Sequence, residues 1–157
     1  MDRFVSPSRG SMTFDDMFRD IMSYVEQSPN DRYRLIIGTD SQSQDDLTLV
    51  TAVIIHRVGK GGRYYYQRSR HRAIKNLQQK IYYETSVSLG LGSKLAKRLA
   101  ENGYANMNIE IHLDVGTAGP TKEMIREVVG MVTGSGFDAR IKPDSFGAST
   151  VADRYSK

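Results

Sequence analysis

Residues 34–70 read RLIIGTDSQSQDDLTLVTAVIIHRVGKGGRYYYQRSR, and three extended segments divide them. Arg34 to Asp40 is a short, isoleucine-rich run of the kind that forms a buried strand. A polar turn over Gln42 to Asp46 leads into Leu47 to Val58, a longer strand dominated by β-branched residues. Gly59, Gly61 and Gly62 then turn the chain into a third strand, Arg63 to Arg70. Consecutive strands joined by short turns pair antiparallel, so this stretch predicts a meander.

On the N-terminal side, residues 1–12 contain Pro7, Gly10 and three serines without any period, and are expected to form a flexible arm. Thr13 followed by Asp15 and Asp16 marks a helix start. Phe14, Met17, Phe18, Ile21, Met22 and Val25 give that helix an apolar stripe, and Pro29 and Asn30 end it. On the C-terminal side the period becomes helical from Lys75 to Asn102, with Leu77, Ile81, Glu84, Ser88, Leu91, Leu95 and Leu99 on one stripe. Gly90 and Gly92 inside it predict a kink or a close helix–sheet contact. Asn108 to Val115 alternates as a fourth strand. A loop over Gly116 to Pro120, a helix over Thr121 to Thr133 and a fifth strand over Phe137 to Lys142 complete a βαβ unit. A last short helix is expected from Ser149.

The order βββ-α-β-α-β-α, behind an extra N-terminal helix, predicts an α/β domain over residues 13–157. Its sheet is mixed and five-stranded: three antiparallel strands, then parallel additions, flanked by helices. A chain of 157 residues buries a core of its own, and 39% apolar with 25% charged residues is ordinary globular composition. The absence of cysteine excludes disulfides, thiolate zinc sites and cysteine nucleophiles. No apolar run reaches the roughly 20 residues that span a bilayer, and the N-terminus lacks a secretory apolar stretch, so no membrane partner and a cytoplasmic location are expected. A net charge of +4, concentrated over Arg63 to Lys75, suits a polyanionic partner.

Asp40 ends the first strand and Asp114 lies near the same end of the fourth. Parallel neighbouring strands would bring the two together. Glu84 sits on the helical stripe that faces the sheet, where an unpaired charge costs several kcal/mol or takes up a proton. Asp153 falls about one turn into the last helix. Acids thus come from strand, helix, strand and helix.

This order of elements and acids resembles the ribonuclease H-like superfamily over roughly residues 33–157. More closely, GTDSQS at residues 38–43, HLDVG at 112–116 and KPDSFGASTVADRYSK at 142–157 resemble the YkuK-type family of small bacterial ribonuclease H-like proteins. The resemblance implies that Asp40, Glu84, Asp114 and Asp153 are catalytic metal ligands, with Asp144 a competitor for the fourth place. It also implies a Mg²⁺- or Mn²⁺-dependent nuclease acting on RNA, an RNA–DNA hybrid or structured DNA. Two such ions about 4 Å apart activate water on one side of a phosphodiester and stabilise the leaving oxygen on the other. Carboxylates so close repel, so without metal at least one should have a raised pKa.

Other readings stand beside this one. Asp40 before Ser41 also suits an Asx turn, while Ser41 is a candidate contact to substrate or a ligand water. His112 shares a strand face with Asp114 and is a candidate proton carrier, or a polar filler. Tyr64, Tyr66, Arg68, Arg70 and Arg72 suit base stacking and phosphate contacts, and equally suit a guarded edge strand. The loop from Gly116 to Gly119 has the look of a nucleotide-phosphate turn, but one domain is too little for the duplicated architecture of the actin-like ATPases. A non-catalytic nucleic-acid or protein-binding module is the alternative to a nuclease. A second copy of the chain, as a homodimer, is one way to wall a site left open by the short last helix.

Overall fold

The computed structural model describes residues 3–43, 47–74 and 76–145. The meander forms as three eleven-residue strands, β3 (Tyr33–Ser43), β4 (Leu47–Arg57) and β5 (Gly61–His71), each antiparallel to the next along its full length. β6 (Asn108–His112) joins β3 in parallel, and β7 (Asp138–Arg140) joins β6 in parallel. This is the mixed α/β arrangement that the sequence pattern predicts.

Two further strands make the sheet seven-stranded. Residues expected to be a flexible arm instead form a hairpin, β1 (Arg3–Ser6) and β2 (Gly10–Thr13), and Val5 of β1 pairs with Tyr66 of β5. The sheet order is β2-β1-β5-β4-β3-β6-β7. The hairpin holds because Phe4 and Met12 are buried, with the Phe4 ring 6.3 Å from that of Phe14. Gly10 adopts φ +73°, a left-handed turn conformation that glycine takes without a Cβ clash.

Helix α1 (Phe14–Gln27) starts at a capping box. The Asp16 amide donates to Thr13 Oγ1, and the Asp16 carboxylate accepts from the Thr13 amide. Buried Asp20 ties this helix to the sheet by accepting from the Tyr65 hydroxyl and pairing with Arg63 and Arg9. Helix α2 (Leu77–Glu101) is continuous through both glycines. At Gly92 the reason is close packing: a Cβ there would lie 3.4–3.5 Å from Ile111, Phe137 and Ile37. A 3-10 turn over Lys122–Met124 runs into α3 (Ile125–Gly134). The core between helices and sheet includes Leu35, Ile37, Val53, Ile55, Ile111, Leu95, Leu99 and Val128. Among the described residues, no helix is long and apolar enough to cross a membrane. The helix expected from Ser149, and Asp153 within it, lie outside the described residues.

Candidate metal centre

Parallel register builds the site. Gly38 of β3 stands beside His112 of β6, and His112 beside Arg140 of β7. Two residues further along each strand path come Asp40, Asp114 and Lys142, one row across three neighbouring segments. The row is held beyond the formal strands, because the Leu113 amide donates to the Arg140 carbonyl and the Lys142 amide to the Val115 carbonyl, both at 2.8 Å. From above, Ile81, Glu84, Thr85 and Ser88 turn toward the sheet, and Ser88 Oγ lies 2.8 Å from Thr39 Oγ1.

These elements bring Asp40, Glu84 and Asp114 together, with one carboxylate oxygen from each within 4.8 Å of the others. Glu84 is only 4% exposed, and its Oε2 has no hydrogen-bond partner among the described residues. Burial pushes its carboxyl up to about 8. The Ser41 hydroxyl lowers it, and the charges of Asp114 and Asp40 raise it further. Ser41 therefore contacts a candidate ligand rather than open solvent, while its backbone amide donates to Asp40 Oδ1 at 2.9 Å. Asp144, the rival for the fourth place, is exposed and outside this cluster.

Divalent Mg²⁺ or Mn²⁺ fits the residues present. All donors are carboxylate oxygens, which these ions prefer, and oxygens within 4.8 Å of one another can converge on one cation by side-chain adjustment. A buried carboxylate oxygen lacking a partner is the feature that such an ion would satisfy.

His112 is buried, at 4% exposure, rather than on a half-exposed face. It lines the same small pocket as Thr39, Glu84, Ser88 and Asp114, but its Nε2 donates to Glu110 Oε1 at 3.2 Å. Burial holds His112 below the ordinary histidine value against the pull of Glu110. Glu110, 1% exposed, also accepts two hydrogen bonds from Arg34 at 3.1 and 3.2 Å, and Arg140 lies at 3.6 Å. Burial opposes its charge, yet the hydrogen bonds from His112 and Arg34 keep its carboxyl below the usual range. This pairing fixes the His112 ring against Glu110.

The tyrosine–arginine segment divides. Tyr66 is 8% exposed and packs with Val50 and Ala52, and Tyr64 packs partly against the same cluster, so Tyr66 offers little ring surface to a base. β5 is also no edge strand, since β1 lies beside it. Arg68, Arg70 and Arg72 stay exposed. Asp40 pairs with Val50 and Val50 with Arg68, so these side chains leave the same sheet face, with Arg68 about 10 Å from Asp40 across two strand spacings.

Two residues at the site were not singled out from sequence. Lys142 Nζ lies 2.6 Å from Asp114 Oδ1, and this contact, with the nearby charges of Asp40 and Glu84, raises the Lys142 ammonium above its ordinary value. Glu110 is the other. The fifth strand's register would have found Lys142, since it follows Arg140 as Asp114 follows His112.

A family model described as Ribonuclease H-like matches residues 16–157. The chain is 35% identical to the uncharacterized protein YkuK of Bacillus subtilis (strain 168), with 98% of this chain and 96% of that protein covered. No solved structure gives a significant match.

Proposed function

This chain belongs to the ribonuclease H-like family, in its YkuK-type branch, and on that footing we propose that it is a divalent-metal-dependent phosphodiesterase acting on RNA, RNA–DNA hybrid or structured DNA. One observation carries the reading: Glu84, buried and with Oε2 unpartnered among the described residues, faces the carboxylates of Asp40 and Asp114. Asp40, Glu84 and Asp114 would hold the metal, joined by Asp153 as the family pattern implies. Bound there, Mg²⁺ or Mn²⁺ would activate a water for in-line attack and stabilise the leaving oxygen.

The chain's own groups have separate tasks. Glu84 would give up its carboxyl proton to solvent as a metal bound, and the Ser41 hydroxyl would keep that carboxylate turned toward the centre. Arg68, Arg70 and Arg72 grip backbone phosphates beside the centre. That placement positions a strand without reading its sequence.

The test is cleavage of labelled single-stranded RNA, RNA–DNA hybrid and branched DNA in Mn²⁺, with Asp40→Asn protein as control for contaminating nuclease. Cleavage by the parent alone supports the reading and names the substrate class. No cleavage by either protein, with nucleic acid still bound, moves the assignment to a non-catalytic binding module.

A further inference from the structure

Lys142 forms an ion pair with Asp114 of the acidic centre, and the sheet register places it there. Its Nζ sits 2.6 Å from Oδ1 of Asp114, whose carboxylate a metal between the three acids would also engage. The approach is built into the backbone. Lys142 donates its amide to Val115, and Gly116 leaves room for it, since a Cβ on Gly116 would come within 3.1 Å of Lys142 Cβ. Its side chain is 55% exposed, against 30% for Asp114, so the ammonium can swing outward without unpacking anything.

We propose that Lys142 is an internal competitor for the metal: its ammonium holds Asp114 Oδ1 until a divalent ion displaces it. The inference rests on the metal-binding reading above. A cation and an ammonium sharing one carboxylate repel, so each weakens the other's hold, and the coupling is reciprocal. The device keeps three mutually repelling carboxylates partly neutralised without metal, and it sets the ion concentration at which the centre loads.

The experiment is calorimetric titration of Mn²⁺ into the full chain at pH 7 without nucleic acid, for parent, Lys142→Met, Lys142→Gln and Lys142→Arg proteins, each first checked for cooperative melting. The two neutral variants are expected to bind Mn²⁺ roughly fivefold more tightly than the parent, the scale of releasing a partly exposed ion pair. The arginine variant keeps the parent's affinity within about twofold on the same scale. Equal or weaker binding by the folded neutral variants, with the parent binding normally, overturns the competition and makes Lys142 a support for Asp114. Absence of Mn²⁺ binding by all four proteins overturns the metal reading and this inference with it.

Discussion

Gly38 and His112 lie side by side in parallel register, so Asp40 and Asp114, each two residues further on, leave the sheet next to one another. Asp40 lies within β3, and Asp114, in the bend just past β6, is held by the backbone hydrogen bonds that Leu113 and Val115 make to the β7 side. Asp40→Asn and Asp114→Asn should therefore each lower Mn²⁺-dependent cleavage by more than about a hundredfold. Thermal melting of the stripped proteins, followed by circular dichroism, should show the fold retained.

Glu84 makes the stability of the stripped protein depend on pH. Its folded-state carboxyl is raised to about 8 from an ordinary value of 4.5, mainly by burial. The folded state then holds a proton that the unfolded chain has released. Stability is full below about pH 4.5, falls as pH rises toward about 8, and is flat beyond, with a slope of at most about 1.4 kcal/mol per pH unit from this group. Glu84→Gln should flatten that window in urea denaturation series, and should abolish the stabilisation that Mn²⁺ gives the parent at pH 8.

Tyr66 and the arginines beyond it should separate by assay. Tyr66→Ala empties a packed position and should cost about 3 kcal/mol of stability while leaving the nucleic-acid affinity of the folded protein unchanged. Arg68→Ala and Arg70→Ala should leave stability within about 0.5 kcal/mol. Each should reduce the slope of log affinity against log salt by about 0.9 on a duplex. Loss of affinity on Tyr66→Ala without loss of stability would restore the stacking role.

The hairpin makes a prediction that a loose arm would not. Phe4 is 1% exposed and packs against Phe14, so Phe4→Ala should destabilise the whole domain by about 3–4 kcal/mol in denaturant melts. An unchanged midpoint would mean that residues 3–13 contribute nothing to the core.

Much of this was legible along the chain because the signals were local. Strict alternation marked β6, the helical stripe of α2 put Glu84 on its buried face, and the expected strand ends drew attention to Asp40 and Asp114, although β3 continues past Asp40 to Ser43 and β6 stops short of Asp114. What escaped was long-range. The four-residue strands of the hairpin carry too few apolar residues to show a period, and they exist because β5 offers Val5 a partner at Tyr66. That same pairing covers the edge of β5 at Tyr66. His112 looked available because strand alternation reports a face, not what covers it, and its partner Glu110 is the neighbour two residues back on that face. Lys142 had no motif of its own and became visible once β7 was placed beside β6.

The central claim, that Glu84 joins Asp40 and Asp114 around a divalent ion, is tested most directly by crystals soaked in Mn²⁺ and measured at a wavelength where manganese scatters anomalously. The account predicts a single strong peak, or a close pair, between the three carboxylates, with Glu84 Oε2 among the ligands and Lys142 turned away from Asp114. Well-diffracting soaked crystals with no peak there, or a peak that leaves Glu84 Oε2 unliganded, would contradict it.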